Sequence, residues 1–356
     1  MVRRNTKEVT IKDIKIGKDH KVAVQTMYSD PLPNIDDDKG YEDLLTQLRS
    51  WATMGCDIVR FSYPNSLHKS LFEKLVKDSP VPLVADIHFD WKLAIEALEI
   101  GFAKIRINPG NIGSKERVKE IVELAKEKGA AIRIGLNSGS LPRSKRSMAR
   151  DEAMVETALE YISWFEKWGF YNTVISLKDS DVESTYQANI KLAAKCDYPL
   201  HLGVTEAGGI ITAVARSTWA LGRLLSQGIG DTIRISITDE CHHEIIAARE
   251  ILRTVGLEKG GVTIVSCPRC NRATFDSQAF LKAIEPKLMS YKTPLTVAIM
   301  GCQVNGPGEA EHADLAITGI GNKVFLYEKG KMIKEVTFES ALSELLAKIE
   351  EYEGEQ

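Results

Sequence analysis

The sequence has no long hydrophobic run and no large excess of charge. No stretch of about 18 consecutive apolar residues is present, and a membrane-spanning helix needs a run of that length. Arg3 and Arg4 are not followed by the apolar segment of a secretory signal. The formal net charge of −3 gives no overall electrostatic reason to bind nucleic acid or anionic membranes. We therefore expect a cytoplasmic protein without a nucleic-acid or membrane partner.

Cysteines are also few, and a second Cys-x-x-Cys pair is absent. Three of the six cysteines lie near the C-terminus, in Cys267-Pro-Arg-Cys270 and in Gly301-Cys302-Gln-Val-Asn-Gly-Pro-Gly-Glu309. Two thiolates on a tight turn and a distant third can bind one metal centre, with the fourth position left to another ligand. Because cytoplasmic thiols stay reduced, these cysteines are predicted to be ligands rather than disulfides. Cys56 and Cys196 are predicted to be small buried apolar residues.

Spacing alone leaves three interpretations of this motif open. The first is an iron-sulfur cluster, for which loops rich in glycine and proline around Cys302 let the backbone approach closely. The second is a structural zinc site, with His312 as a possible fourth ligand. The third is a redox-active dithiol. A thioredoxin-type pair would, however, follow the first strand of a small domain, whereas this pair begins at residue 267 of 356.

Before this motif, short β-branched runs alternate with amphipathic helical stretches. Eight candidate strands can be counted, at residues 22–27, 57–63, 83–88, 104–108, 131–137, 173–178, 200–206 and 232–238. Each helical stretch is long enough for a crossover between parallel strands. Eight strand-helix units in about 250 residues predict an α/β fold with a (β/α)8 TIM barrel. A doubly wound open sheet remains the alternative.

Polar side chains cluster at the C-terminal ends of these strands, which converge on one mouth in a barrel. Five cations on five strands would repel one another unless an anion lay among them, and arginine forks match phosphate oxygens. We therefore predict a phosphorylated substrate. The strand-end residues are Arg60, Asp86, His88, Arg106, Asn108, Arg133, Asn137, Lys178, Thr205, Glu206, Arg234 and Ser236.

The pattern changes after about residue 258. Strands at 262–265 and 295–300 each lead into a cysteine motif, and strands at 313–318 and 324–327 with a helix at 339–349 complete a small α/β module. We predict two domains, a substrate-binding barrel at 1–257 and a metal-cluster domain at 258–356. The contiguous Cys241-His242-His243 begins a helix, where neighbouring side chains point apart, so we interpret it as a solvated face rather than a metal site.

Taken together, these residues resemble the family of bacterial 4-hydroxy-3-methylbut-2-enyl diphosphate synthases of the methylerythritol phosphate route to isoprenoids. The resemblance spans the whole chain. Besides the two cysteine motifs, it rests on five ordered segments, at residues 82–89, 106–113, 133–141, 201–208 and 228–236.

The resemblance implies a TIM barrel followed by a [4Fe-4S] domain, with Cys267, Cys270, Cys302 and Glu309 as the cluster ligands. It implies that the diphosphate of 2-C-methylerythritol 2,4-cyclodiphosphate is held by Arg106, Arg133, Asn137, Lys178, Arg234 and Ser236. Glu206 would be the acid near the reacting carbons, and Glu309 would give way to the substrate. The implied reaction is a two-electron reductive ring opening with loss of water, fed by ferredoxin or flavodoxin. A homodimer would complete each active site in trans.

The sequence departs from the common pattern of this family at the barrel rim. Arg216-Ser-Thr218 replaces a usual Lys-Ser-Ala, Asp239-Glu-Cys241 replaces a usual Ala-Asp-Pro, and residues 209–213 lack a basic residue often found there. Two rival functions stay open. One is a pteroate-synthase-like barrel lyase or transferase that acts on a phosphorylated substrate and carries a zinc-stabilised appendage. The other is an iron-sulfur redox sensor.

Overall fold

A computed structural model describes residues 2–145, 147–268, 270–304, 306–320 and 323–354. The chain divides into two compact units, Met1–Glu258 and Lys259–Gln356. No helix in these described ranges is long and apolar enough to cross a membrane.

The first unit is built on eight parallel strands. The strands are β3 (Ala23–Met27), β4 (Ile58–Ser62), β5 (Leu83–Asp86), β6 (Lys104–Ile107), β7 (Ala131–Asn137), β8 (Thr173–Lys178), β9 (His201–Leu202) and β10 (Thr232–Ile233). They pair in the order β8-β7-β6-β5-β4-β3-β10-β9. A parallel bridge between Ile175 of β8 and Leu200, immediately before β9, brings the two ends of the sheet together. The predicted TIM barrel is therefore confirmed, whereas the open sheet is wrong.

Helices follow the strands and bury one face on the barrel. They are α1 (Asp38–Thr53), α2 (Lys69–Asp78), α3 (Trp91–Ile100), α4 (Pro109–Ile112), α5 (Lys115–Lys128), α6 (Arg150–Lys167), α7 (Val182–Ala193), α8 (Ile210–Ser226) and α9 (Cys241–Thr254). Side-chain caps fix several starts, as where the Asp90 carboxylate accepts from the Lys92 N–H and Asp181 accepts from the Ser184 N–H.

A short hairpin, which the sequence did not predict, covers the N-terminal ends of the barrel strands. It consists of β1 (Val9–Ile11) and β2 (Ile14–Ile16). Val9, Ile11 and Ile16 are fully buried against residues near the starts of the barrel strands, such as Ala23 and Ile58, and Ile14 is partly buried there. This apolar contact closes one end of the barrel and leaves the C-terminal strand ends as the face that carries polar residues.

The second unit is a five-stranded sheet with helices. Its elements are β11 (Val262–Ser266), α10 (Ser277–Leu288), β12 (Leu295–Met300), α11 (Gly306–His312), β13 (Leu315–Ile320), β14 (Lys323–Glu328), β15 (Lys331–Val336) and α12 (Phe338–Gly354). The strands pair in chain order. β11, β12 and β13 are parallel, and β14 and β15 are antiparallel. The predicted strands before the cysteine motifs are present, while β15, α10 and α11 were not predicted.

Candidate functional site

A cavity of about 190 Å³ lies at the C-terminal ends of the barrel strands. All eight strands, or the residues that directly follow them, contribute to its lining. Nine residues that the sequence placed at the strand ends line it together: Arg60, Asp86, His88, Arg106, Arg133, Asn137, Lys178, Thr205 and Arg234. Met27, Ser176 and Val204 also line it, and no pattern in the sequence distinguished them.

Three predicted site residues do not line this cavity. Asn108 is buried and caps α4 by accepting from the Gly110 N–H, while its amide donates to Ser140 Oγ at 3.0 Å. Ser236 lies beside the cavity and accepts from Arg234 Nη1 at 3.1 Å. Glu206 is exposed on the segment after β9 and has a φ of 52°. That left-handed conformation is strained for a residue with a Cβ and is often found at functional sites.

Two carboxylates balance part of the positive charge of the cavity. Asp86, 4% exposed, lies 3.2 Å from Arg106 Nη1 and 3.8 Å from Arg60 Nε. Burial would raise the pKa of Asp86, but the guanidinium groups of Arg60, Arg106 and Arg133 outweigh it and hold that pKa below its ordinary value. Glu244 forms the second pair, in which its two oxygens lie 2.9 and 2.5 Å from Nε and Nη2 of Arg234.

The other two cations of the cavity have no carboxylate partner. Among the described residues, neither Arg133 nor Lys178 forms an ion pair with an acidic side chain. Arg133 is 2% exposed, and its Nε and Nη1 have no hydrogen-bond partner. Burial and the neighbouring guanidinium groups lower the pKa of both side chains well below the ordinary values. An anion that entered the cavity would satisfy these donors and reduce the repulsion.

A buried histidine supports Lys178 from inside the barrel. Lys178 Nζ lies 3.1 Å from His201 Nε2, and His201 Nδ1 lies 3.4 Å from Thr232 Oγ1. Burial, then the charge on Lys178, lowers the pKa of His201 well below its ordinary value. The neutral imidazole therefore accepts a hydrogen bond from the ammonium group through Nε2, and its Nδ1–H donates to the threonine hydroxyl.

Two glycines leave room for the cations. A Cβ on Gly203 would lie 2.5 Å from Lys178 Nζ and 2.6 Å from the carbonyl oxygen of Arg234. A Cβ on Gly135 would collide with the Nε of Arg106. Larger residues at these positions would displace side chains that line the cavity, so both glycines are explained by close approach rather than by turn conformation.

In the second unit, two cysteines lie at the ends of neighbouring parallel strands. Cys267 directly follows β11, and Cys302 follows β12 after Gly301, whose N–H donates to Cys267 Sγ at 3.2 Å. Cys302 is buried, Cys267 is half-buried and Cys270 is exposed. Hydrogen bonds from the backbone at Arg272 lower the pKa of the Cys270 thiol and favour its thiolate.

These sulfurs suit a soft metal centre in chemistry, but they are not gathered into a ligand set. All three thiols are free, and a hydrogen bond to Cys267 Sγ is of the kind that tunes iron-sulfur sites. Within the described residues, however, no group of three or more His, Cys, Asp or Glu side chains is placed to hold a metal ion. Glu309 and His312 are both exposed on α11.

The Cys241-His242-His243 run differs from the predicted solvated face. Cys241 is buried, with its thiol 3.1 Å from Ser29 Oγ and 3.1 Å from the Met27 carbonyl oxygen. Only the two histidines are partly exposed, and His243 Nδ1 lies 3.0 Å from Asp239. The prediction was wrong for Cys241, because the thiol anchors the start of α9 on the end of β3.

The fold and these two groups of residues define a protein of the TIM-barrel class with a cation-lined barrel mouth and a second, cysteine-bearing α/β unit. The chain belongs to the GcpE family. Residues 6–249 match the GcpE TIM-barrel domain, and residues 263–351 match the GcpE protein C-terminal domain.

Similar proteins in three bacteria carry the name 4-hydroxy-3-methylbut-2-en-1-yl diphosphate synthase (flavodoxin). The relative from Caldanaerobacter subterraneus is 44% identical over 100% of this chain and 99% of its own. The relative from Aquifex aeolicus is 42% identical over 99% of this chain and 98% of its own. The relative from Treponema denticola is 43% identical over 94% of this chain and 91% of its own.

Solved structures of dihydropteroate synthases share the barrel. The structure from Vibrio fischeri has a TM-score of 0.50 at 12% identity and covers 71% of this chain and 99% of its own. The structure from Xanthomonas albilineans has a TM-score of 0.50 at 13% identity and covers 70% of this chain and 97% of its own. At this identity the likeness concerns the fold alone, so it does not favour the pteroate-synthase-like function.

Proposed function

We propose that this chain is a 4-hydroxy-3-methylbut-2-enyl diphosphate synthase of isoprenoid biosynthesis. It would convert 2-C-methyl-D-erythritol 2,4-cyclodiphosphate to 4-hydroxy-3-methylbut-2-enyl diphosphate with two electrons that pass through a [4Fe-4S] cluster. The names of relatives that match nearly the whole chain support this reaction. A location in the cytoplasm belongs to the same proposal.

The observation that carries the proposal is the pair of cations in the barrel mouth that have no carboxylate partner among the described residues. Arg133 and Lys178 are buried without a carboxylate, and two nitrogens of Arg133 have no hydrogen-bond partner. Leaving such donors unsatisfied is costly in a protein without a ligand. A diphosphate supplies several anionic oxygens at once, so Arg133 and Lys178 would bind it most directly.

The remaining substrate-binding residues would surround the diphosphate and orient the sugar carbons. Arg60, Arg106 and Arg234 would add positive charge from three further strands, with Asp86 and Glu244 setting their positions. The polar residues that complete this proposed binding set are His88, Asn108, Asn137, Thr205 and Ser236. Such fixed positioning would reduce the entropy that is lost when the bound substrate reaches the transition state.

Glu206 would hold and deliver the proton. In the proposed reaction one C–O bond to the ring diphosphate opens, one hydroxyl leaves as water, and two electrons are consumed. The departing oxygen needs a proton, which a carboxylic acid can supply. Glu206 directly follows Thr205, which lines the cavity. The left-handed backbone conformation of Glu206 is of the kind often found at functional sites.

Cys267, Cys270, Cys302 and Glu309 would hold the cluster in a domain that covers residues 258–356, with the substrate domain at 1–257. When bound, the cluster would supply single electrons and a Lewis-acidic iron. Ferredoxin or flavodoxin would be the electron donor, and flavodoxin appears in the names of the relatives. A homodimer would complete each site in trans, with Glu309 giving way to the substrate.

The test is an anaerobic assay of the reconstituted full-length chain with the cyclic diphosphate and a chemical reductant. Iron and acid-labile sulfide are measured on the same sample, since stoichiometric zinc without sulfide would contradict the cluster. Product formation that depends on both reductant and cluster is expected. A protein with a full cluster that leaves the cyclic diphosphate unchanged would refute the proposed reaction.

A further inference from the structure

We propose that Glu244 is a positioning residue that fixes the guanidinium of Arg234 for binding an anion in the barrel mouth. No sequence pattern selects Glu244, because it lies in a helix and not at a strand end. The inference rests on the proposed function only for the identity of the natural anion, a diphosphate.

The contacts of Glu244 leave it no capacity for another partner. It is 2% exposed and lies in the first turn of α9. Its Oε2 accepts from Thr26 Oγ1 at 2.8 Å and from Arg234 Nε at 2.9 Å. Its Oε1 accepts from Arg234 Nη2 at 2.5 Å and from the backbone N–H of Ile237 at 3.2 Å. A carboxylate with two hydrogen bonds on each oxygen is a rigid anchor for the groups that it contacts.

These contacts determine which part of Arg234 faces the cavity. A guanidinium has five N–H bonds. Two of them donate to Glu244 and one donates to Ser236 Oγ, which leaves two for a ligand. Because Nε and Nη2 are both held by one carboxylate, the plane of the fork is fixed, and Arg234 lines the cavity at 15% side-chain exposure. A fixed fork loses less entropy when it binds phosphate oxygens.

Two possible roles of Glu244, neutralising the cavity and positioning Arg234, predict opposite changes in anion affinity when its carboxylate is removed. If Glu244 served only to neutralise the cavity, Glu244→Gln would add one positive charge and strengthen anion binding. If Glu244 positions Arg234, the same substitution releases the fork and weakens anion binding, although the cavity has become more positive. The sign of the change in affinity therefore separates the two roles.

The experiment measures the affinity of inorganic diphosphate for the anaerobically reconstituted full-length chain by titration calorimetry. We expect Glu244→Gln to bind diphosphate at least tenfold more weakly than the unsubstituted chain, and Glu244→Asp to lie between them because it keeps the charge but is one methylene shorter. Glu250→Gln is the matched control, since Glu250 lies on the same helix and is 52% exposed. In the turnover assay, KM for the cyclic diphosphate should rise with little change in kcat.

A double substitution tests whether Glu244 acts through Arg234. In an Arg234→Ala background, Glu244→Gln should no longer weaken diphosphate binding, because there is no fork left to position and only the loss of a negative charge remains. Equal or tighter binding by Glu244→Gln, or the same loss with and without Arg234, would overturn the inference. If Glu244→Gln does not fold, as judged by its thermal transition, Glu244→Asp decides in its place. These affinities do not depend on turnover, so an inactive protein that shows them would refute only the proposed function.

Discussion

Replacing Arg133 by Met should make the barrel more stable and less able to bind diphosphate. Arg133 is 2% exposed, and its Nε and Nη1 lack partners inside a cavity that also holds four other cations. Methionine has a similar length and no polar group, so it fills much of the space without an unsatisfied donor. The substitution therefore removes a desolvation cost together with a binding group.

The expected changes in Tm and in diphosphate affinity can both be worked out from these contacts. An unsatisfied buried donor costs about 1–3 kcal/mol, and a unit of this size gains about 2–4 °C in Tm per kcal/mol, so Tm should rise by roughly 2–12 °C. A lost charge-assisted contact costs about 1.5–3 kcal/mol, which corresponds to a diphosphate affinity roughly 10- to 150-fold weaker.

The assay is thermal unfolding with and without inorganic diphosphate, followed by titration calorimetry. In the unsubstituted chain diphosphate should raise Tm by mass action, and in Arg133→Met that increase should be largely lost. Lys119→Met is the control, because Lys119 is 50% exposed on α5, pairs with Glu123 and is not among the residues that line the cavity. A lower Tm with unchanged diphosphate affinity would show that the guanidinium stabilises the barrel and does not bind the ligand.

Three further predictions address the other groups of residues. Cys267→Ser, Cys270→Ser or Cys302→Ser should remove iron and activity but leave the barrel transition unchanged, and iron that is retained at full stoichiometry would contradict the ligand set. Glu206→Gln should keep the cluster and bind diphosphate without turnover, and mixing it with Cys302→Ser should restore activity after subunit exchange unless each site forms within one chain. Burial would raise the pKa of Asp86, but nearby guanidinium groups hold it low, so the carboxylate stabilises the fold above its unfolded pKa of about 3.9. Asp86→Asn should therefore lower Tm at pH 7, with a difference that narrows below about pH 4.

The barrel could be predicted from the sequence because buried parallel strands leave a strong local pattern. Runs such as Ala131–Asn137 and Thr173–Lys178 are buried on both faces, contain several Ile, Leu and Val residues and are separated by helical stretches. The predicted strands at 200–206 and 232–238 are shorter in the structure, at two residues each. The chain after Leu202 leaves the sheet to approach the cavity, where Gly203 lies against Lys178, and no local pattern marks that departure.

The barrel topology made it possible to predict that polar residues converge on one cavity. It did not make it possible to predict which of these residues pair with one another. Parallel strands in a barrel bring their C-terminal ends to one face, so any polar residue there is a candidate. Which cations carry a carboxylate depends on contacts between distant segments, such as that of Arg234 with Glu244 from α9. In the second unit the same limit applies, since Cys267 and Cys302 follow neighbouring strands while Cys270 stays exposed.

The two carboxylates of the barrel mouth explain how five buried or half-buried cations can share one cavity. Asp86 lies between two arginines, and Glu244 holds a third, so the repulsion that remains falls on Arg133 and Lys178. A barrel selected for stability alone would have apolar residues at those two positions, because buried unpaired charge is expensive. Basic residues at those two positions fit the proposed diphosphate, which would supply the missing negative charge. The stability that Arg133 and Lys178 cost the ligand-free protein and the affinity that they would give to a bound diphosphate then have the same physical origin.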